Sequence, residues 1–365
     1  MSKDYKLHWP SHPNIYGGDG LRKFNIYFSE PDQGVNEETG ILLLIPGFGG
    51  NASSNVYKKM RKNFADQYNL VVVQCDYFGQ EFMQGSNSVQ MNFSRDELSG
   101  IFSSSEIENI FKDGFNGREF IEIGSKYPIN LSLKEILNET VDNFNDMGLM
   151  QAMDHLTAIY YVINILKDNG LTFNMNKIIA YGHSHGAYLC YLCNAMAPHL
   201  FSLLIDNSAW LQPVYLHSSR LLFSKIGNMT LQTEFDYLVR KLEYDADILD
   251  LAVIYKKFEN SCIIESFHGT TDNLISHIDK KQFCKFINHC SFHEISTPSV
   301  DGEIFKSTDH GLDADFLKMF DYVMKNREFD IREIIHPKPV SYQTKKNCYT
   351  VQYEEGLPLL TVKSV

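Results

Sequence analysis

The sequence has no run of about 18 apolar residues, the length that a membrane-spanning helix needs, and therefore predicts no membrane span. Residues 1–10 are polar and charged and lack the apolar stretch of a signal peptide, so we expect a cytoplasmic protein. Positive charge is also scarce, with 33 Lys and Arg against 45 Asp and Glu and a formal net charge of −12. Nucleic acids and anionic membrane surfaces are bound by clustered cations, so the deficit argues against both as partners.

Cysteine is infrequent and odd in number, with seven residues in 365. Without secretion signals this count predicts free thiols in a reducing compartment. Cys190 and Cys193 form a C-x-x-C, which is more typical here of two thiols on an apolar helix than of a redox or metal site. Since no second cysteine pair or histidine pair completes a zinc site, the sequence predicts no metal and no cofactor.

Hydrophobic residues are plentiful at 44%, enough for a large core. Buried-strand patterns alternate with helical ones along the chain, which indicates an α/β fold with a mostly parallel sheet. The clearest strands are residues 41–45, 70–75 and 177–181, and the clearest helices are residues 54–68, 147–166 and 187–196.

Two stretches interrupt this alternation. Residues of about 83–145 are rich in Ser, Asn, Gly and Glu, and residues of about 208–258 carry mixed helical patterns. We interpret them as insertions in a single domain of residues 1–330, followed by a β-rich C-terminal extension of residues 331–365. Both insertions follow the carboxyl ends of strands, so we expect them to form a lid over that edge of the sheet.

The motif G-x-S-x-G occurs at residues 182–186, with Ser184 at its centre. A β-branched run precedes it and a helix follows. A nucleophilic serine on such a tight strand-to-helix turn projects its hydroxyl over the sheet, and the flanking glycines allow close backbone packing. The helix N-terminus beneath it favours developing negative charge. The motif therefore predicts Ser184 as a catalytic nucleophile.

From about residue 22 to 325 the chain resembles the α/β-hydrolase superfamily, which implies helices on both faces of the sheet. The resemblance also implies an oxyanion hole made of two backbone N–H groups. One is that of His185, and the other is that of Phe48 in the loop of residues 45–50, with Gly49 as the alternative. Pro46 stands where the family usually has histidine, and it has no N–H to donate.

A serine hydroxyl needs a base, and the base needs an orienting acid. The segment His-Gly-Thr-Thr-Asp at 268–272 follows a strand, and Asp-His-Gly at 309–311 precedes a helix. They resemble the acid and base loops of prolyl-oligopeptidase-like and dienelactone-hydrolase-like enzymes. The resemblance implies Asp272 as the acid and His310 as the base.

Three other residues compete for these roles. Asp206 also follows a strand, and Asp309 is adjacent to His310, although a sequence neighbour is poorly placed to reach the imidazole Nδ1. His268 is a base by residue type, but we interpret it as a structural histidine of the acid loop.

The sequence therefore predicts a serine hydrolase that cleaves an ester through an acyl-enzyme. An acyltransferase or a peptidase using the same triad, and a non-enzymatic binding protein on this scaffold, stay open. The segments Asp-Tyr-Phe-Gly (76–79) and Ile-Asp-Asn-Ser (205–208) resemble bacterial α/β-hydrolases associated with surface-glycan or flagellin modification. That resemblance implies a glycan acyl ester as substrate, with a small-molecule ester as the broader class. The oligomeric state is left open.

Overall fold

The computed structural model describes residues 2–17, 20–85, 88–91, 93–331 and 336–365. Small parts of the predicted insertion (86–87 and 92) and of the predicted C-terminal extension (332–335) thus lie outside the described residues. The strands are β1 (Lys3–Pro10), β2 (Lys23–Glu30), β3 (Gly40–Ile45), β4 (Leu70–Cys75), β5 (Val89–Gln90), β6 (Asn130–Glu135), β7 (Ile178–His183), β8 (Leu203–Asn207), β9 (Arg220–Ile226), β10 (Met229–Phe235), β11 (Ile263–Gly269), β12 (Cys290–Ile295), β13 (Val340–Gln343), β14 (Asn347–Glu354) and β15 (Leu357–Ser364).

The α-helices of the described residues are α1 (Asn55–Tyr68), α2 (Arg95–Ser99), α3 (Ser104–Ile110), α4 (Gly117–Gly124), α5 (Leu149–Asp168), α6 (His185–Met196), α7 (Ala246–Leu249), α8 (Leu251–Ile254), α9 (His277–Lys285) and α10 (Phe316–Met324). Within the part of the chain that is described, none of these helices combines the length and the apolar character needed to cross a membrane.

A sheet of eight strands forms the centre of the first of two compact units, which comprises residues 1–83, 141–214 and 243–365. The strand order is β1-β2-β4-β3-β7-β8-β11-β12. Strands β4, β3, β7, β8, β11 and β12 are parallel, and β2 is antiparallel to both of its neighbours. Strands β3 and β4 are buried along their whole length, as continuous apolar runs in a parallel sheet should be.

Helices cover both faces of this sheet. On one face α1 and α10 share a core with the strands, in which the ring of Phe320 lies 4.4 Å from Phe64 and 5.7 Å from Tyr181. Helices α5 and α6 pack on β4 and on β7 and β8 and lie outside that core, so they cover the other face. Every residue of α6 is buried, which explains a helix that is apolar all round. The fold class predicted from the sequence, an α/β-hydrolase fold with a mostly parallel sheet, is confirmed.

The C-terminal residues form a three-stranded antiparallel sheet, β13-β14-β15, that packs on α5 within the same unit. The hydroxyl of Tyr342 donates to the carbonyl of Ala195 at 2.5 Å, and the N–H of Leu360 donates to Nε2 of His12 at 2.9 Å. Burial lowers the pKa of His12 to about 4, so this imidazole is neutral and able to accept. The segment is thus tied to the main body by buried hydrogen bonds.

The second compact unit consists of residues 84–140 and 215–242. Its sheet has the order β5-β6-β10-β9, in which β6 from the first segment pairs in parallel with β10 from the second. A separate core lies within it, made of Leu98, Phe102, Ile107, Ile110, Phe120, Ile123, Leu131 and Met229. The two interrupting stretches therefore meet in one body with its own hydrophobic interior. The expectation that they form a lid stays a prediction.

One feature of the second stretch corrects the sequence interpretation. Mixed helical patterns were expected over 208–258, and this is wrong for its centre, where β9 and β10 form an antiparallel hairpin. The buried residues of β10 are Met229, Thr233 and Phe235, which are separated by even numbers of residues and therefore lie on one face of the strand. Gly227 takes a positive φ of 59° in the turn between the two strands.

Candidate active site

Ser184 occupies the turn between β7 and α6 with φ 55° and ψ −122°, in a region that residues with a Cβ rarely adopt. The turn is held by close backbone contacts at its two glycines. A Cβ on Gly182 would lie 2.4 Å from the backbone nitrogen of Ala187, and a Cβ on Gly186 would lie 2.3 Å from the carbonyl oxygen of Pro46. Both positions therefore require glycine, and together they fix the strained serine at the end of β7.

The His310 imidazole lies directly beside this serine. Its Nε2 is 2.6 Å from the Ser184 Oγ, within hydrogen-bond distance for proton transfer. His310 stands in the loop before α10, next to Gly311, which has φ 84°. A Cβ on Gly311 would lie 2.6 Å from Cε1 of His183, so only glycine allows the loop to approach β7 so closely.

Asp272 completes the chain of hydrogen bonds. Its Oδ2 lies 2.7 Å from Nδ1 of His310, and its Oδ1 accepts the N–H groups of Leu274 at 2.8 Å and Ile275 at 3.0 Å. Burial alone would raise the pKa of this carboxyl group, but the hydrogen bond and charge of His310, with the Ile275 N–H, lower it overall. The carboxylate thus stays ionised and can hold Nδ1 protonated, which leaves Nε2 free to accept the serine proton.

The other two candidate acids have different partners. The Asp206 carboxylate lies 2.7 Å from Nζ of Lys280 and accepts the hydroxyls of Ser266 at 2.7 Å and Tyr191 at 2.9 Å. Asp309 is exposed and accepts the hydroxyl of a threonine of the acid loop at 2.6 Å. Of the three aspartates considered from the sequence, the structure brings Asp272 to the imidazole.

Two further buried side chains, those of His268 and Lys280, lie near the two buried aspartates. His268 Nε2 lies 3.0 Å from the carbonyl of Ile275 and 3.3 Å from Oδ2 of Asp272, so it braces the acid loop. Burial and then the nearby charge of Lys280 lower the pKa of His268, which keeps it neutral. Lys280 had no sequence signal, since it lies on α9 with nothing in its neighbours to distinguish it from a surface lysine.

The loop of residues 46–50 lies against the nucleophile turn. The rings of Phe48 and His185 are 5.4 Å apart, and Trp210 stacks on Phe48 at 5.7 Å. The N–H of His185 is the first of α6 and therefore has no acceptor within the helix. The structure thus brings together the two segments named as oxyanion donors, and the roles of Phe48 and His185 stay predictions.

Of the two histidines that flank Ser184, His185 is fully buried and His183 is half-buried. Burial lowers the pKa of His185 to about 3, and burial with the neighbouring His310 lowers that of His183 to about 4. They are therefore neutral at physiological pH. The described residues include no group of three His, Cys, Asp or Glu placed to hold a metal ion.

The C-x-x-C pair is enclosed in α6. Cys190 and Cys193 are fully buried, and all seven cysteines are free thiols. Burial raises the pKa of both thiols, so they stay protonated and lack the thiolate that redox chemistry or metal binding uses. The pair packs as an apolar part of the helix.

A family model described as "Protein of unknown function (DUF2920)" matches residues 22–237. No curated protein matches the chain.

Solved structures give further likenesses. The chain is 16% identical to Est1E from Butyrivibrio proteoclasticus with bound ferulic acid, covering 83% of this chain and 93% of that one at a TM-score of 0.43. It is 13% identical to Thermogutta terrifontis esterase 2 phosphonylated by cyclosarin, covering 86% and 93% at a TM-score of 0.44. It is 11% identical to Pyrococcus horikoshii acylaminoacyl peptidase, covering 90% and 42% at a TM-score of 0.48. Likenesses this distant concern the fold alone, so any function has to be argued from the site.

Proposed function

We propose that this chain, which belongs to the DUF2920 family, is a serine hydrolase that cleaves a carboxylic ester through an acyl-enzyme. One observation carries the proposal. Ser184 Oγ, His310 and Asp272 form a continuous chain of hydrogen bonds, with contacts of 2.6 Å and 2.7 Å on the two sides of the imidazole. A strained serine at the end of a parallel strand, paired with a base that an ionised acid orients, is the arrangement that nucleophilic catalysis needs.

In the first half-reaction the Ser184 Oγ attacks the ester carbonyl carbon while its proton passes to Nε2 of His310. The positive imidazolium that results is stabilised by the Asp272 carboxylate. The tetrahedral oxyanion accepts hydrogen bonds from the N–H groups of Phe48 and His185, and one such donor typically contributes about 3 kcal/mol to lowering the barrier. His310 then gives its proton to the leaving alcohol, and Ser184 is left acylated.

In the second half-reaction a water molecule replaces the alcohol. His310 accepts a proton from this water as it attacks the acyl carbonyl, and the same N–H groups stabilise the second oxyanion. Collapse releases the carboxylic acid and returns the proton to Ser184. The neutral state of His183 and His185 supports this chemistry, because a positive charge next to His310 would oppose its protonation.

For the substrate we propose an acyl ester of a small molecule or a glycan, with acylated carbohydrates tested first. This choice is supported by the sequence resemblance of residues 76–79 and 205–208. In the first of these segments the side chains of Tyr77 and Phe78 are buried.

The test is ester turnover by the purified protein and by Ser184→Ala. A panel of p-nitrophenyl esters from acetate to laurate, together with O-acetylated monosaccharides, separates acyl-length preference from carbohydrate preference. We expect hydrolysis by the wild type, a pre-steady-state burst of p-nitrophenol, and loss of both in Ser184→Ala. A wild-type protein that hydrolyses none of these esters and is not labelled by a fluorophosphonate would contradict the proposal.

A further inference from the structure

Two buried polar residues at the end of β8 lie between the nucleophile turn and the loops that carry the base and the acid. Asn207 is the last residue of β8 and Ser208 follows it, and both are completely buried. Ser208 has φ 57°, so, like Ser184 directly after the neighbouring strand β7, it is a non-glycine residue with a positive φ. Backbone strain at a buried position persists only where the surroundings over-determine it.

The first connection is to the nucleophile. The backbone N–H of Ser184 donates to the carbonyl oxygen of Asn207 at 2.8 Å. This bond continues the pairing of β7 with β8 by one step beyond the partners His183 and Asn207. The strained serine turn is therefore fixed to the end of β8.

The second connection is to the base loop, and it involves both side chains. The N–H of Gly311 donates to the hydroxyl oxygen of Ser208 at 3.0 Å, and the carbonyl of Gly311 accepts from Nδ2 of Asn207 at 3.3 Å. The Ser208 hydroxyl in turn donates to Oδ1 of Asn207 at 3.1 Å. Both backbone groups of the residue that follows His310 are thus bound by one pair of side chains.

The third connection is to the acid strand. The N–H of Ser208 donates to the carbonyl of Phe267 in β11 at 2.9 Å, and the Ser266 hydroxyl donates to the carboxylate of Asp206, the residue before Asn207. The same short segment therefore touches the structures that carry Ser184, His310 and Asp272.

We infer that Asn207 and Ser208 are positioning residues that set the distance between Ser184 and His310, an inference that rests on the proposed function. Neither side chain contacts the reacting atoms. Their effect comes through the backbone of Ser184 on one side and of Gly311 on the other. An error of about 1 Å in such a geometry can lower a rate about 100-fold, so bonds that hold both partners to one rigid strand end have a direct kinetic consequence.

The inference is tested by measuring the acylation rate per active site. Ser208→Gly removes the hydroxyl while allowing the positive φ, and Asn207→Ala removes the side-chain donor while leaving the backbone carbonyl that binds Ser184. Ser202→Ala is the matched control, because it removes a serine hydroxyl hydrogen-bonded to a backbone carbonyl at the other end of the same strand. Active sites are counted by complete reaction with a fluorophosphonate. The concentration dependence of the burst rate with p-nitrophenyl acetate gives the acylation rate constant and the dissociation constant of the ester.

We expect Ser208→Gly and Asn207→Ala to lower the acylation rate constant per titrated site by about 10- to 100-fold with little change in the dissociation constant of the ester, and Ser202→Ala to match the wild type. A purely structural role would lower the number of titrated sites and leave the rate of each site unchanged, and that result would overturn the inference. If the wild-type protein is not acylated at all, the proposed function itself fails. If the wild type is acylated and the variants equal it, the hydrolase proposal stands and the inference does not.

Discussion

The carboxyl end of β8 and the loop that follows β11 each carry a buried aspartate at the same edge of the sheet, and the two differ in their partners. The side chains of Asp206 and Asp272 are both fully buried. Asp206 is paired with the ammonium group of Lys280 at 2.7 Å, whereas Asp272 is paired with the imidazole of His310 at 2.7 Å. The same residue type at the same edge of the sheet is thus paired with a lysine in β8 and with the proposed catalytic base in the loop after β11.

The partner of each aspartate determines the role that we assign to it, because lysine and histidine differ in how readily they exchange a proton. A lysine ammonium opposite a carboxylate is a permanent ion pair, and such a pair holds structure without taking part in proton transfer. An imidazole changes its charge near neutral pH, so a carboxylate beside it can stabilise a proton that arrives only during reaction. We therefore expect substitutions at Asp272 to change rates and substitutions at Asp206 to change stability.

The largest effect is expected at the acid. Asp272→Asn keeps the size of the side chain but stabilises the wrong tautomer of His310, and we expect kcat for ester hydrolysis to fall about 10⁴-fold. Stopped-flow and steady-state assays on fluorophosphonate-titrated protein measure this. A loss of less than tenfold, with Asp206→Asn more damaging per active site, would reverse the roles assigned to the two aspartates.

The next effect is on stability. Asp206→Asn leaves the Lys280 ammonium buried without its counter-ion, and we expect the free energy of unfolding to fall by about 3–5 kcal/mol. Urea unfolding followed by circular dichroism measures the change. The rate per titrated active site should fall far less than in Asp272→Asn, and an equal fall in both would contradict a structural role for Asp206.

A smaller effect is the coupling free energy between Asp206 and Lys280, which a double-mutant cycle measures. Lys280→Met should destabilise the protein like Asp206→Asn, and the double variant should be less destabilised than the sum of the two by about 0.5–3 kcal/mol. The four proteins of this cycle are compared at one pH by urea unfolding. Strict additivity would mean that the 2.7 Å contact contributes no coupling.

The smallest effect concerns pH. The pKa of Asp272 is lowered in the folded protein, because the favourable contacts with His310 and the Ile275 N–H outweigh the opposing effect of burial. Its ionised form therefore stabilises the fold above about pH 4, and this contribution is lost as the pH falls through the folded pKa. The destabilisation caused by Asp272→Asn should then be larger at pH 6 than at pH 3, as unfolding at both pH values measures. A difference that grows towards low pH would have the wrong sign.

The residues proposed to carry out the reaction can be predicted from the sequence, whereas the residues that hold them in position cannot. Gly182, Ser184 and Gly186 form a local pattern, and a strand and a helix on either side are enough to indicate the turn. Asp272 and His310 also carry local signals in the residues around them. Phe48, in contrast, was named by its position in a loop, and its N–H has no signal that distinguishes it from the next one.

Long-range contacts account for what the sequence does not provide. Choosing between Asp206 and Asp272 requires knowing that Lys280, on α9, reaches the first and that His310 reaches the second. Asn207 and Ser208 act through Gly311, more than 100 residues away, as the separations of 104 and 103 residues indicate. The hairpin of β9 and β10 is not predicted from the sequence, because its alternation of residues competes with mixed helical patterns. Strand β1 is not predicted either, because it is a largely polar strand at the exposed edge of the sheet.

The most direct measurement is the site of covalent modification by a fluorophosphonate, mapped by tryptic peptide mass spectrometry on the wild type and on Ser184→Ala. The account predicts one adduct, on Ser184, that is absent from Ser184→Ala and forms much more slowly in His310→Ala. An adduct on a different serine, or labelling that persists undiminished in Ser184→Ala, would contradict it.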